Sequence, residues 1–364
     1  MFSLNNFCCQ NPLCSDSCIR GKDNLRWHGW SGHKHEIRCL RCRTCKKCFS
    51  ERKGTVLEQS RLPMAKAISL MEHFREGCGV RGTARLVQVT PNTVTRYARV
   101  AGDHSKKLHD EFVEQSPMTK EVQFDEKWNF VYKKQAHCEE NEGERGDNWD
   151  HTAVDPEHRL LLSIVPGKRT AENCQKVVDD VKKRTNGRTD VLITSDEHAP
   201  YKSAIEKAYS TQEKQSDGSI KSIMPKELCY ATVRKTRKNG RVTHIEKKLV
   251  FGEWILLYLY IFLSVVSNTI NTSFVERNNA TDRNQNARKA RKTLRFSKDW
   301  LIHNSMTYYV AYSYNFCWPV RTLRVKNDDG KWISRTPAMS AGLADRVWTT
   351  LEWISYPARP CMST

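Results

Sequence analysis

Between residues 63 and 100 the apolar positions recur every three or four residues, which is the period of an amphipathic α-helix. The pattern predicts helices over 65–74, over 80–87 and from 91 to about 100. Thr90 is a favourable N-cap and Pro91 suits a first helical turn. This succession is typical of a helix-turn-helix, whose second helix enters the DNA major groove, and an ordinary helical hairpin is the alternative. The outward polar residues that we predict to contact DNA are Asn92, Thr93, Thr95, Arg96 and Arg99.

From residue 121 onward the pattern changes to the alternation of β-strands. The predicted elements are strands over 121–132, 150–155, 160–165 and 190–196, and helices over 170–184, from 198, and over 271–292. Thr170 supplies an N-cap, and Asn239-Gly240 is a strong turn signal within a hairpin over 229–251. The β-β-β-α-β-α order predicts an α/β fold of the ribonuclease-H-like type, a mixed sheet flanked by helices.

Residues 254–263 form an uninterrupted apolar run. It is shorter than the ~20 residues that a membrane-spanning helix needs, so we predict a buried strand or core helix and no membrane contact. After residue 300, aromatic residues recur at spacings that suit a packing helix, and we expect them to fill a core rather than stack on bases. They are Tyr308, Tyr309, Tyr312, Tyr314, Phe316 and Trp318.

Charge adds an expectation about partners. The 364 residues include 60 Lys and Arg against 41 Asp and Glu, a formal net charge of +19, while 9 % of the chain is aromatic. The aromatic content excludes a disordered or collagen-like chain, and the charge favours a polyanionic partner such as nucleic acid. The N-terminus lacks the pattern of a secretory signal, so we expect the cytoplasm, where thiols stay reduced and cysteines serve as metal ligands or buried residues.

Eight of the 14 cysteines fall within residues 8–48, in two groups whose spacing resembles a zinc ribbon. Four thiolates with no open position would make one zinc ion structural, supplying folding energy to a segment with a small core. Our preferred ligand set is Cys9, Cys14, Cys42 and Cys45. The alternative ligands are Cys8, Cys18, Cys39 and Cys48, with His28, His33 and His35 of the intervening loop.

Three carboxylates stand out in the second half of the chain. Asp125 is embedded in an apolar strand, Asp196 ends another, and Glu276 lies in the first turns of a helix. Converging carboxylates can hold two divalent cations for in-line phosphoryl transfer, and their hard oxygen donors suit Mg2+ or Mn2+. Arg283 follows Glu276 by two helical turns on the same face.

Several segments resemble the insertion-sequence-1-type transposases, a family with an Asp-Asp-Glu triad. The resembling segments are FDEKW at 124–128, TSDEHAPY at 194–201, SFVERNNATDRNQNARKARKTLRFSKD at 273–299, RCLRCRTCKKCFSERKGT at 38–55 and YNFCWPVRTLR at 314–324. The resemblance implies that Asp125, Asp196 and Glu276 are catalytic, with Arg283 as the basic residue after the Glu. It also implies cleavage of transposon ends and joining of their 3′-hydroxyls to target DNA, by a homo-oligomer acting on the terminal inverted repeats in a bacterial or archaeal nucleoid.

The chain departs from this pattern in its apolar run 254–263, its surplus cysteines and the long stretch between Asp196 and Glu276. Part of that stretch is the basic hairpin, which we expect to contact DNA together with a basic face of the helix after Glu276. The further predicted DNA-binding residues are Arg234, Lys235, Arg237, Lys238, Arg288, Arg291, Lys292 and Arg295.

These elements predict four parts. They are a zinc ribbon over 1–60, a helix-turn-helix domain over 61–115, the catalytic domain over 116–324 and a tail over 325–364. Besides a transposase, two functions stay open: a zinc-ribbon and helix-turn-helix regulator with an inactive catalytic half, and a metal-dependent nuclease that does not join strands.

Overall fold

A computed structural model describes residues 2–32, 35–114, 118–214 and 220–360, so His33 lies outside the described residues. The described strands are β1 (Leu25–Ser31), β2 (Ile37–Cys42), β3 (Cys48–Ser50), β4 (Glu121–Val131), β5 (Gly146–Asp155), β6 (Leu160–Gly167), β7 (Leu192–Asp196), β8 (Thr211–Lys214), β9 (Ile220–Ile223), β10 (Cys229–Lys238), β11 (Arg241–Phe251), β12 (Val325–Lys326) and β13 (Trp332–Ile333). The described α-helices are α1 (Met64–Arg75), α2 (Val80–Val87), α3 (Pro91–Phe112), α4 (Ala171–Arg184), α5 (Ala199–Tyr209), α6 (Trp254–Leu263), α7 (Ser273–Gln285), α8 (Trp300–Cys317), α9 (Pro337–Ser340) and α10 (Thr350–Ser355).

The chain divides into two compact units, and the boundary after Phe112 lies close to the predicted start of the catalytic domain at residue 116. Unit 1 comprises the described parts of Met1–Phe112, Asn304–Cys317 and Trp348–Thr364, and unit 2 those of Val113–His303 and Trp318–Val347. The predicted zinc-ribbon and helix-turn-helix segments therefore belong to one unit. Residues of the predicted tail are shared between the two.

In unit 1, β1, β2 and β3 form a small antiparallel sheet, and the first helices follow it. The four apolar residues that the pattern placed on one face of α1 are all buried; they are Ala67, Leu70, Met71 and Phe74. The N-cap is as predicted, since Thr90 Oγ1 accepts from the Thr93 backbone N–H at 3.2 Å. α3 continues to Phe112, beyond the predicted end near residue 100.

The extension of α3 packs against the part of α8 that belongs to the same unit, residues 304–317. Gly102 allows the close approach, because a Cβ at that position would lie 2.3 Å from Ser305 Cα. His109 stacks on Tyr312 with 3.7 Å between ring centroids. Tyr309, Tyr312 and Phe316 are buried, as expected for aromatic residues that fill a core.

In unit 2 the main sheet has the order β11-β10-β7-β4-β5-β6. β4, β5 and β6 form an antiparallel meander, while β7 is parallel to β4 and β10 is parallel to β7. This mixed sheet flanked by helices is consistent with the predicted ribonuclease-H-like arrangement. Thr170 caps α4 through the Asn173 N–H at 3.3 Å.

The predicted hairpin is formed by β10 and β11. It turns at Asn239 and Gly240, whose φ angles of 53° and 75° are those of a two-residue hairpin turn. Most residues of β11 and the second half of β10 are exposed to solvent, so the tip of the hairpin extends beyond the sheet.

The apolar run 254–263 is the helix α6, but the prediction that it lies in a core is wrong. Leu257 is buried among sheet residues such as Leu192 and Ala231, whereas Phe262 is 83 % exposed. A helix that is apolar on every side presents only one face to a neighbour, so its other face remains in solvent. Every helix in the described part of the chain is too short or too polar to span a lipid bilayer.

Because α6 contacts the sheet through one face only, two substitutions in this helix should change the free energy of unfolding by unequal amounts. Leu257→Ala should lower the free energy of unfolding by about 2–5 kcal/mol, because it removes a fully buried side chain. Phe262→Ser should change it by no more than about 0.5 kcal/mol, because the ring is exposed. Urea unfolding of both variants tests this, and equal destabilisation would mean that the outer face of α6 is packed in solution.

Candidate functional site

Asp125, Asp196 and Glu276 line one cleft of about 520 Å³ in unit 2. β4 and β7 are parallel neighbours in which Phe124 pairs with Ser195, so the two aspartates follow at adjacent positions of the sheet. Glu276 reaches the same cleft from the first turn of α7. Three elements far apart in the sequence thus bring together the three predicted carboxylates.

Neighbouring side chains orient two of these carboxylates. Asn279, on the next turn of α7, donates from Nδ2 to Asp125 Oδ2 at 2.7 Å. Thr272 donates from Oγ1 to Glu276 Oε1 at 2.7 Å, and Lys235 Nζ forms an ion pair with the same oxygen. The helix and the hairpin therefore both help to hold the cleft in shape.

The electrostatics of the cleft favour a bound cation. Burial, with the nearby charge of Asp196, raises the pKa of Asp125 to about 6, and burial also raises the pKa of Asp196. Within the described residues Asp196 Oδ1 is buried without a hydrogen-bond partner. Carboxylates that repel one another, one of them with a buried and unpartnered oxygen, fit a hard divalent cation such as Mg2+ or Mn2+.

Basic side chains also line the cleft, and they come mainly from the root of the hairpin. Because β10 pairs with β7 so that Val233 lies opposite Asp196, the following residues of β10 extend past the carboxylates. Arg234, Lys235 and Arg237 line the cleft, and Arg234 lies 3.5 Å from Glu197 Oε2. Lys238 follows on the exposed part of the hairpin.

The sequence interpretation missed Arg169, which also lines the cleft. Its guanidinium donates to Glu126 Oε2 at 3.0 Å and lies over the Trp149 ring. A basic residue immediately before the Thr170 cap was the available signal. Burial, with the charge of Asp196, raises the pKa of Glu126 to about 7, so the acidic residue beside Asp125 is perturbed as well.

Four charged side chains of unit 2 form a buried ion cluster; they are Lys127, Asp150, Asp282 and Lys289. Lys127 pairs with Asp282 and lies 3.3 Å from Asp150, while Lys289 lies 2.8 Å from Asp150 and 3.3 Å from Asp282. Burial opposes ionisation of both aspartates, but the two lysines lower the pKa of each. The cluster joins β4, β5 and α7 with the segment after α7.

Two predicted functional residues lie away from the cleft. Arg283 is not among the residues that line it; its Nη2 donates to the Trp128 carbonyl at 3.2 Å and ties α7 to β4. Arg288 is only 7 % exposed, and burial lowers the pKa of its guanidinium to about 10. Arg288 therefore does not contribute to an exposed basic face.

The predicted helix over 271–292 is shorter than expected, and this explains why the basic residues after Glu276 do not lie where they were predicted. α7 ends at Gln285, after which the chain turns and directs Lys289 into the ion cluster. Arg291, Lys292 and Arg295 are exposed, but they follow irregular backbone and do not share a helical face. The predicted helical phosphate track is not formed.

In unit 1 the polar residues at the start of α3 are accessible to different extents. Asn92, Arg96 and Arg99 are exposed, whereas Thr93 and Thr95 are half-buried. Thr95 Oγ1 donates to the Asn92 carbonyl at 3.0 Å, so its hydroxyl is engaged within the helix. The DNA contacts of this face remain a prediction.

The preferred cysteine set forms a compact cluster. The sulfurs of Cys9, Cys14, Cys42 and Cys45 all lie within 4.8 Å of one another. The Asp16 backbone N–H donates to Cys14 Sγ at 3.4 Å, the kind of contact that orients metal ligands. Four thiols at this spacing, three of them buried, fit a tetrahedral zinc ion.

No protein-family model and no curated protein matches the chain. Among solved structures, a Mos1 transposase paired-end complex with left transposon end matches at 13 % identity and a TM-score of 0.17, covering 41 % of this chain and 57 % of that chain. The Mos1 Strand Transfer Complex matches at 13 % identity and a TM-score of 0.16, covering 39 % and 53 %. The matched region thus spans little more than half of those chains, and at these scores the similarity identifies neither family nor activity.

Removing one charge from the ion cluster should destabilise the protein strongly, and removing the opposite charge as well should offset part of that loss. Lys127→Met should cost about 3–5 kcal/mol of unfolding free energy, because it leaves a buried carboxylate uncompensated. Lys127→Met combined with Asp282→Leu should cost less than the sum of the two single changes, because the charge balance is restored. Urea unfolding measures all three, with the exposed Lys202→Met as control; strictly additive costs would contradict the pairing.

The four-cysteine cluster predicts one structural zinc ion per chain at this site. Cys42→Ser should lower the zinc content by one ion per chain and the melting temperature of the protein, because the ligand set becomes incomplete. Cys48→Ser should retain the ion, because Cys48 is exposed and lies outside the cluster. Elemental analysis and thermal unfolding of the two variants provide the comparison, and zinc loss in the Cys48 variant alone would refute this ligand set.

Proposed function

We propose that the chain is a divalent-metal-dependent DNA transposase of the insertion-sequence-1 type. The observation that carries the proposal is the convergence of Asp125, Asp196 and Glu276 in one cleft lined with arginine and lysine. Phosphodiester chemistry needs metal ions at the reacting phosphate, and carboxylates can hold such ions. It also needs a surface that attracts the DNA backbone, and the basic side chains supply one.

In this mechanism the three carboxylates would hold two Mg2+ or Mn2+ ions. Such ions activate the attacking oxygen and stabilise the leaving 3′-oxygen. Asn279 fixes the orientation of Asp125, and Thr272 that of Glu276, so that the donor oxygens are arranged before the substrate arrives. Arg234 and Arg237 bind the phosphates that approach the cleft, since cationic side chains at its rim attract the DNA backbone.

The remaining surfaces would recognise the DNA. We assign recognition of the terminal inverted repeats to the helix-turn-helix of α2 and α3 and to the N-terminal segment that zinc would stabilise through Cys9, Cys14, Cys42 and Cys45. The exposed hairpin carries Lys238 and adds a non-specific phosphate contact. Because two transposon ends must be cut and joined together, we propose that the active form is a homo-oligomer bound to both ends and to target DNA.

A DNA-binding regulator is the second candidate, and one contact favours it. Lys235 pairs with Glu276, so a side-chain ammonium neutralises the carboxylate that a metal ion would otherwise use. If that pair persists on DNA, the protein binds transposon ends without cutting them. A nuclease without strand joining has no separate structural support.

The decisive assay uses supercoiled DNA that carries the sequences flanking the gene, with Mg2+ or Mn2+. Wild type should nick this DNA and join the released 3′-ends to a second plasmid. Asp125→Asn, Asp196→Asn and Glu276→Gln should each lower cleavage by about 100-fold or more, the scale on which one electrostatic contributor to a transition state acts. DNA binding should change little, because the rim of arginines is intact.

Glu172→Gln is the matched control, since this carboxylate is exposed at the start of α4 and outside the cleft. It should cleave like wild type. If the triad variants also cleave like wild type, the assignment of the three carboxylates is wrong. If wild type binds the ends and never cuts them, the regulator is the correct function.

A further inference from the structure

A second cluster of ligand-type side chains lies on the α4 side of the main sheet. Glu126, Cys174 and His198 each offer one donor atom, and the three atoms lie within 4.8 Å of one another. They come from β4, from the first turns of α4 and from the residue before α5. Successive residues of a strand point to opposite faces, so Glu126 faces away from the side on which Asp125 contacts α7.

One polar atom on each of Glu126 and His198 has no close hydrogen-bond partner among the described residues, although the Tyr201 hydroxyl also interacts with the Glu126 carboxylate. Glu126 is 8 % exposed, and its Oε1 is buried without a hydrogen bond in the described part of the chain. His198 Nε2 is likewise buried and unpaired among the described residues. Arg169 holds only the other carboxylate oxygen, Oε2, at 3.0 Å. Two buried polar atoms without hydrogen-bond partners carry a desolvation cost that a bound cation would offset.

We propose that Glu126, Cys174 and His198 form a binding site for a borderline transition-metal ion, with Zn2+ as the preferred ion. One carboxylate oxygen, one thiolate sulfur and one imidazole nitrogen are the donor types that zinc takes in proteins, while Mg2+ prefers oxygen ligands. The carboxylate and the thiolate neutralise a divalent ion, and the thiol proton is released to solvent on binding.

The site is open on one side. His198 also lines the carboxylate cleft, so the site adjoins an open cavity from which a water molecule could supply the fourth ligand. Three protein ligands with one free position distinguish this site from the four-cysteine cluster, which is closed. The inference rests on these three side chains and does not depend on the proposed function.

Cobalt substitution tests the site directly. The full chain is first given one Zn2+ per chain, which the closed four-cysteine cluster binds in preference to a site with three protein ligands, and Co2+ is then titrated while the near-ultraviolet thiolate-to-cobalt absorption is recorded. Wild type should develop this band with one Co2+ per chain. Cys174→Ser should abolish it, and His198→Ala should weaken Co2+ affinity by about tenfold or more, because one coordinate bond is lost.

Cys229→Ser is the matched control, because Cys229 is also fully buried in unit 2 but lies outside the cluster, and it should keep the band. Glu276→Gln should keep it as well, which separates this site from the carboxylate triad. The proposal is overturned if wild type and Cys174→Ser give the same absorption. If Cys174→Ser does not fold, Glu126→Gln replaces it, and unchanged Co2+ affinity in both Glu126→Gln and His198→Ala overturns the proposal.

Discussion

The buried ion cluster is the constraint on which the geometry of the cleft depends. Lys127 lies two residues after Asp125 on β4 and on the same face, and Asp282 lies on α7 beyond Glu276 and Asn279. Their ion pair therefore fixes how the strand with one carboxylate meets the helix with another. A buried charge left without its partner costs several kcal/mol, so alternative positions of α7 along the sheet are strongly disfavoured. Asp150 and Lys289 complete the balance from β5 and from the segment after α7.

The same strand serves two environments because its side chains alternate. Asp125 and Lys127 face α7, where hard carboxylate oxygens and buried ion pairs dominate. Glu126 faces α4, where its neighbours are the guanidinium of Arg169 and the thiol and imidazole of the second ligand cluster. Two adjacent acidic residues thus acquire different roles from the direction of their side chains. This alternation explains why a single short segment, residues 124–128, influences so much of the site.

Features governed by local signals could be predicted from the sequence. Thr170 and Thr90 form the expected caps, Asn239-Gly240 forms the turn, and the preferred cysteines meet as a quartet. Features set by distant partners could not. The helix that contains Glu276 ends early because Lys289 forms ion pairs with Asp150 and Asp282. α3 continues to Phe112 because some of its polar residues are buried against segments that are distant in the sequence. His104 is one such residue: its Nε2 lies 2.8 Å from the Tyr356 carbonyl, and its pKa falls to about 4 through burial. Periodicity alone counts such a residue as polar.

The cleft also clarifies what the net charge of +19 means for the site. Four carboxylates line it with four cationic side chains, so in the absence of metal the protein neutralises its own acidic residues. Lys235 does so most directly, by pairing with Glu276. If divalent ions occupy the carboxylates as proposed, this pairing loses its electrostatic reason and the ammonium becomes available to a phosphate. Metal binding and DNA binding would then support each other, because each favours the same position of Lys235 and is opposed by the same ion pair. Under the proposed function the basic hairpin would therefore couple the two binding events, because one residue of β10, Lys235, lies at both the acidic cleft and the basic hairpin.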